Sequence, residues 1–335
     1  MQRSGEVFVG RREELDSLHA ALASACGGAG RLVLLSGEPG IGKTRTAVEL
    51  ACRAGQDGAQ VLWGRCHEEA GAPPYWPWTQ VLRDLIGTLD DAALREDLGA
   101  GGPDVAQLVP ELRARLADLG LTATPSDPAA ARFRLFASLA HFLIATLRRQ
   151  PRVVVLDDLH WADAPSLRFL RFLVPDVAAS RILLIGTYRE NELSRQHPLS
   201  DALGDLARAA HSSRLRLRGL GAEEVRDLLT AAAGTVPAPW LVRSIHAQTE
   251  GNPLFLREIA RYLRERGLLT GAAEAPKPGS AQSLRIPEGV REVIGQRLNR
   301  LSPDCNEILR VASVIGREFS LDVLLRACGA ERADG

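Results

Sequence analysis

The clearest chemistry in the chain sits in eight consecutive residues, Gly37-Glu38-Pro39-Gly40-Ile41-Gly42-Lys43-Thr44. They satisfy the pattern G-x-x-x-x-G-K-[ST] in full. The spacing suits an anion with several oxygens. Gly37, Gly40 and Gly42 let the backbone wrap tightly with its N–H groups turned inward. A helix starting near Lys43 adds the positive end of its dipole. Lys43 is then expected to reach the β- and γ-phosphates of a nucleotide, and the Thr44 hydroxyl to ligate Mg²⁺. Lys43 and Lys277 are the only lysines in a chain whose other basic residues are arginines. A compact ammonium suits a phosphate cradle where a planar guanidinium would not fit. A plain glycine turn before a surface lysine is the alternative. It fits the context poorly, because an apolar run precedes the loop and a helical pattern follows it.

Two other segments could complete such a site. Val153-Val154-Val155-Leu156-Asp157-Asp158 is an apolar run ending in two acids. Alone it is weak, because aspartates often end strands at turns. Together with the phosphate loop it reads as a buried strand, expected beside the loop's own strand, that carries the Mg²⁺ carboxylate. Asp157 is assigned to the metal shell through water. Asp158 is assigned to orienting or deprotonating the attacking water, with a capping acid as the alternative. Arg189 follows Leu183-Leu184-Ile185-Gly186-Thr187-Tyr188. It would emerge at a strand's C-terminal end and contact a γ-phosphate, or form a surface ion pair with Glu190 or Glu192.

Other strings carry less. Gly251-Asn252-Pro253 could pack on the adenine or ribose, although a plain interhelix turn is the better reading. Tyr75-Trp76-Pro77-Trp78 reads as core packing rather than a partner site. Cys66-His67 is a poor metal pair, since adjacent residues rarely close one tetrahedral site. The five cysteines, Cys26, Cys52, Cys66, Cys305 and Cys328, are scattered and form no C-x-x-C. Reduced thiols fit them better than disulfides.

The elements that must position these residues follow from periodicity. Leu15, Leu18, Leu22 and Ala25 recur at helical spacing until Gly27, Gly28 and Gly30 break the pattern. Strands are expected at Arg31–Ser36, Gln60–Gly64, Arg152–Asp157 and Ile182–Thr187, with a peripheral fifth at Arg214–Leu217. Helices are expected at Thr44–Ala54, at Ala129–Arg149, at Ser166–Val174, and between Trp78 and Gly120 with a break at Gly99–Pro103. Alternating strands and helices argue for a parallel α/β sheet. After Gly219 only helical patterns remain: Ala222–Ala233, Trp240–Thr249, Leu254–Arg266, Pro287–Leu301, and Pro303–Val314 with Ser302 as N-cap. A linker is expected over Gly271–Ser283.

At 335 residues the chain has room for two or three domains. Its formal net charge of zero gives no global basic footprint for nucleic acid. No apolar stretch is long enough to span a membrane, and Met1–Gly10 lacks a signal-peptide layout, so a cytoplasmic protein is expected. The end, Ala327–Gly335, has no terminating logic, which suggests a piece of a larger protein.

The ordered set Phe8-Val9-Gly10-Arg11, GEPGIGKT, Pro77-Trp78, DDLHWAD at Asp157–Asp163, Gly186-Thr187-Tyr188-Arg189 and Gly251-Asn252-Pro253-Leu254-Phe255-Leu256 resembles the signal-transduction ATPases with numerous domains (the STAND class). Within that class it looks closest to the ATPase module of large ATP-binding LuxR-type bacterial transcriptional regulators, a module also found beside cyclase and kinase domains. The glycine loop marks only P-loop proteins; the other strings are more specific. The resemblance implies an α/β P-loop NTPase domain of AAA/ASCE type with a five-stranded parallel sheet at 1–219. An all-α domain at 220–283 and the start of a winged-helix domain at 284–335 would follow. It also implies an ATP/ADP switch with Mg²⁺, slow hydrolysis, self-association on activation by an inducer, and DNA contact only through a region beyond this chain. Carried over by position, Val9 and Gly10 meet the base, and Arg11 and Gly37 through Arg45 complete the nucleotide-binding set, with Lys43 and Thr44 on phosphate. Thr44 and Asp157 hold the metal, Lys43 and Asp158 support hydrolysis, Arg189 senses the γ-phosphate, and Pro253 touches the base. A stand-alone turnover ATPase and an inactive nucleotide-bound scaffold are the competing readings.

Overall fold

The structure, a computed structural model, describes residues 8–68, 71–120, 127–194, 196–265, 298, 301–316 and 320–328. The chain divides into two compact units, Met1–Leu228 with Glu250–Leu254, and Leu229–Thr249 with Phe255–Gly335.

The first unit is a five-stranded sheet wrapped by helices. Its strands are β1 (Arg31–Ser36), β2 (Gln60–Arg65), β3 (Arg152–Asp157), β4 (Ile182–Tyr188) and β5 (Ser212–Arg216). All pairings are parallel and the spatial order is β2-β3-β4-β1-β5. The helices are α1 (Arg12–Cys26), α2 (Lys43–Gln56), α3 (Trp76–Thr88), α4 (Asp91–Leu98), α5 (Gly102–Leu108), α6 (Glu111–Arg115), α7 (Pro128–Thr146), α8 (Ala164–Val177) and α9 (Pro198–Leu206), with α10 (Ala222–Ala233) beginning here. The central strands are buried on both faces, as their unbroken apolar runs require. Alternate residues feed opposite layers. Val33, Leu35, Val153, Val155, Leu183 and Ile185 pack under Leu15, Leu18 and Leu22 of α1 and Ala47 and Leu50 of α2. Leu32, Leu34, Val154, Leu156 and Leu184 pack on the other side with α3, α7 and α8.

Trp78 anchors that second layer. It is fully buried, lies 4.8 Å from the Phe169 ring in an edge-on arrangement, and donates its indole N–H to Ser166 O at 3.1 Å. A buried indole needs such an acceptor, and its area makes it a core residue. Three helix starts are set by aspartates: Asp90 caps α4, Asp127 caps α7, and Asp163 caps α8 through Ser166 N at 2.8 Å. The expected break at Gly99–Pro103 is present: α4 ends at Leu98, and Gly99 turns the chain with φ of 50°. A one-turn 3₁₀ helix at Gly99–Gly101 runs directly into α5, because Pro103 falls in a first turn, where its missing N–H has no partner to lose.

The second unit contains α11 (Pro239–Thr249), most of α12 (Pro253–Glu265), α13 (Pro303–Ile315) and α14 (Leu321–Ala327). Ser302 caps α13 by accepting from Cys305 N at 3.2 Å. The expected linker at Gly271–Ser283 and the expected helix start at Pro287, near the anticipated winged-helix domain, lie outside the described residues.

Candidate nucleotide site

The strand register brings the site together. β1 pairs with β4 so that Ser36 lies opposite Tyr188, and β2 pairs with β3 so that Arg65 lies opposite Asp157. Their C-terminal ends form one edge, and the glycine loop leaves β1 there. Gly40 and Gly42 have φ of 79° and 102°, values that suit glycine. α2 begins at Lys43 with Gly42 as N-cap and no side-chain cap. The N-cap residue thus offers no side-chain acceptor to the first turn of α2, an arrangement that a phosphate completes.

Lys43 is 6% exposed and donates to Gly37 O at 3.0 Å and Glu38 O at 2.9 Å. Burial, reinforced by the charge of Arg189, pushes its pKa down to about 8, against the pull of Asp158, Asp157 and Glu192. A bound phosphate would restore the charged form. The sign of the pH dependence follows. Below about pH 8 the ammonium is already charged, and affinity should be flat. Above it, binding must take up a proton, and affinity should fall by up to about tenfold per pH unit. Titration calorimetry with ADP at pH 9, in two buffers of different ionisation heat, should show proton uptake that is absent at pH 7. Equal heats and equal affinity at both pH values would remove Lys43 from the phosphate.

Asp157 and Thr44 meet directly: Thr44 Oγ1 donates to Asp157 Oδ1 at 2.9 Å. The expectation that β3 lies beside β1 is corrected, because β4 stands between them. The gap is bridged by Thr187 of β4, whose hydroxyl donates to the same Asp157 oxygen at 2.7 Å and accepts from Asp158 N at 2.9 Å. One hydroxyl on the intervening strand thus ties the two acids together. A carboxylate and a hydroxyl sharing one oxygen contact fit a Mg²⁺ that takes its remaining ligands from phosphate and water.

Asp158 has φ of 60°, a left-handed value costly for a side-chain-bearing residue. It precedes the 3₁₀ turn Leu159–Trp161 without capping it, and the capping acid of this segment is Asp163. Burial, then the neighbouring Asp157, raises the Asp158 pKa above the ordinary carboxylate range. A carboxyl group so poised beside the loop has the character of a general base.

Arg189 follows β4 directly, at the same edge. Its Nη1 donates to Glu192 Oε1 at 2.6 Å and its guanidinium lies 4.8 Å from the centre of the Trp161 ring. Of the two fates open to it, the structure contains the ion pair with Glu192.

The remaining expected residues fall into two groups. Arg11 is buried, with φ of 63°, and donates to Ile41 O at 2.9 Å and to Glu14 at 3.0 Å, so it braces the loop from behind. Gly10 and Val9 precede it, and Arg11 N donates to Glu224 at 3.0 Å. Arg45 lies over the Phe8 ring at 5.9 Å. Pro253 belongs to a segment that docks on the loop: Asn252 Nδ2 donates to Pro39 O at 3.2 Å, and Leu254 N to Gly40 O at 3.3 Å. Asn252 Oδ1 accepts from Leu254 N at 3.1 Å and holds the turn closed. Gly251-Asn252-Pro253 is thus more than the plain turn favoured by its pattern.

Thr187, His160, Glu192 and Asn252 were not singled out by sequence. The first two stood inside strings already noted, and Asn252 stood in a tripeptide read for its proline. Glu192 carried no pattern beyond being a possible partner for Arg189.

A glycine loop uncapped at a helix start, a buried lysine over it and a strand-end aspartate against its threonine define a P-loop nucleotide-binding domain. The AAA ATPase domain family (AAA_16) matches residues 7–185, more than half of the chain, and the chain belongs to that family. It is 25% identical over 336 residues to an uncharacterized protein of Rhizobium meliloti (strain 1021), covering 96% of this chain and 31% of that protein. It is 20% identical over 403 residues to the hybrid signal transduction histidine kinase G of Dictyostelium discoideum, covering 96% and 11% respectively. The chain therefore spans less than a third of the length of either relative. Among solved structures, a STAND protein with a tetratricopeptide repeat sensor from Pyrococcus horikoshii is 18% identical, with a TM-score of 0.44, covering 96% of this chain and 37% of that one. Among the described residues no helix is long and apolar enough to cross a membrane.

Proposed function

We propose that the chain is an ATP/ADP-dependent regulatory switch with slow hydrolysis, working as one module of a larger signal-responsive protein. The observation that carries the reading is the docking of Asn252 and Leu254 on the carbonyls of Pro39 and Gly40. The segment that joins α11 to α12 is hydrogen-bonded to the very loop that would hold phosphate. A change in the loop on nucleotide exchange is felt there without an intermediary.

In this reading Gly37 through Arg45 cradle the phosphates, with Lys43 supplying charge. Thr44 and Asp157 hold Mg²⁺, which when bound neutralises phosphate charge. Asp158 holds the attacking water and accepts its proton. Arg189 reads the γ-phosphate. Val9, Gly10, Arg11 and Pro253 form the base side, with Arg11 also fixing the loop. The domains are 1–219, 220–283 and 284–335, the last beginning a winged helix, and activation proceeds through self-association of nucleotide-loaded copies. The output is transcriptional, as in LuxR-type regulators. A kinase output is the second reading, favoured by the relative named as a signal transduction histidine kinase.

The test is to denature the purified protein and identify the nucleotide released, then to measure steady-state turnover. Stoichiometric ADP and turnover no faster than about once per minute are expected of a switch. Turnover far above that rate points to a working ATPase. Absence of any nucleotide, followed by no binding in titration, removes the proposal altogether.

A further inference from the structure

Arg189 is already engaged, and the manner of its engagement is specific. The two carboxylate oxygens of Glu192 are divided: Oε1 takes Arg189 Nη1 at 2.6 Å, and Oε2 lies 3.3 Å from His160 Nε2. The His160 side chain is fully buried, with the same nitrogen 3.8 Å from Asp158 Oδ1. Its backbone is tied to the His197 ring, Nε2 of which lies 2.9 Å from His160 O. The Arg189 guanidinium rests on the Trp161 face. Arg189 directly follows Tyr188, which lies opposite Ser36 where the phosphate loop leaves β1, so the pair stands at the loop's edge of the sheet. The exposures of the two side chains, 19% and 28%, leave the pair partly desolvated rather than fully in water.

We propose that Glu192, oriented by His160, is a latch that parks Arg189 away from the phosphates and thereby sets the preference between ATP and ADP. The proposal rests on the reading of Arg189 as the γ-phosphate sensor. A guanidinium cannot satisfy a carboxylate and a phosphate with the same N–H groups. ADP offers no γ-phosphate, so Arg189 stays with Glu192 and the latch costs nothing. ATP must draw Arg189 from Glu192, and its affinity is reduced by that competition. The buried His160 ring stands against both Glu192 and Asp158, so the sensor's partner and the acid beside the attacking water share one neighbour. Trp161 provides a second resting surface for the cation.

The experiment compares Kd for ADP and for the non-hydrolysable β,γ-imido analogue of ATP, with Mg²⁺. The proteins are wild type, Glu192→Gln, Arg189→Ala, the double variant, and His160→Gln. Glu192→Gln keeps the shape and removes the charge. It should tighten the ATP analogue about tenfold relative to ADP, the scale of one charge-assisted bond. His160→Gln should move the ratio in the same direction by less. The gain must vanish in the double variant. A general loss of negative charge near Lys43 would instead tighten both nucleotides and persist without Arg189. An unchanged ratio in Glu192→Gln, with the ratio collapsed in Arg189→Ala, overturns the latch and leaves the sensor intact. An unchanged ratio in Arg189→Ala overturns the sensor itself.

Discussion

Lys43→Ala should lower the affinity for ADP and ATP by at least about a hundredfold while leaving the unliganded protein folded. The two halves have separate physical causes. The ammonium is the one lysine charge in the loop, and a charge-assisted bond to phosphate contributes about 1.5–3 kcal/mol. Its loss also leaves a multiply charged anion facing only backbone dipoles. In the free protein the same ammonium is a burden, because burial has pushed its pKa down to about 8. Its partners, Gly37 O and Glu38 O, belong to a loop whose Glu38 side is exposed, so water can replace the lost donor. Calorimetric titration gives the affinity, and thermal unfolding without nucleotide gives the stability. A variant that binds ADP within a few-fold of wild type would place the phosphate elsewhere. A variant that unfolds would make Lys43 a structural residue.

Much of this site is legible in the sequence, and the limits are physical. The loop, Asp157 and Arg189 each stand at the end of an apolar run, and such runs mark buried strands whatever their neighbours. β1 and β3 accordingly run as expected, Arg31–Ser36 and Arg152–Asp157. Strand order is different. Parallel strands joined by helices can be arranged in several ways with the same local pattern, and nothing within Val153–Asp157 says that β4 separates it from β1. The bridging role of Thr187 therefore could not be read, although its string was noted. α9 was missed for another reason: it is nine residues long, and its buried stripe, Leu199, Ala202, Leu203 and Leu206, is too short to stand out from a loop. The partnership of Glu192 with Arg189 stayed one of two options, since a three-residue spacing permits it but does not demand it.

Gly251→Ala should be among the most damaging small substitutions outside the loop, costing about 3–6 kcal/mol and weakening nucleotide binding with it. Gly251 has φ of 72°, and a Cβ there would stand 2.1 Å from Leu220 O and 2.6 Å from Leu220 N. These are backbone atoms, which cannot swing aside as a side chain can. Gly219 repeats the constraint from the facing strand of chain, where a Cβ would meet Glu250 O at 1.8 Å. The two backbones touch because neither carries a side chain, and Leu220 N donates to Gly251 O at 2.8 Å across the contact. An added methyl group brings left-handed strain of about 1–2 kcal/mol. It also brings overpacking of about 1–3 kcal/mol and the loss of a bond of about 1 kcal/mol. If the segment lifts, Asn252 leaves Pro39 O and Leu254 leaves Gly40 O, so the phosphate loop loses two donors that shape it. Gly58→Ala is the matched control. Its φ is 83°, but nothing lies within 4 Å of the added carbon, so it carries the strain without the collision. Urea unfolding of the first transition and ADP titration should separate the two variants, with Gly58→Ala near 1 kcal/mol and normal in binding. Equal, small effects at both positions would mean that the 250–254 segment is not held against the loop, and the coupling at the centre of the proposed switch would lose its physical basis.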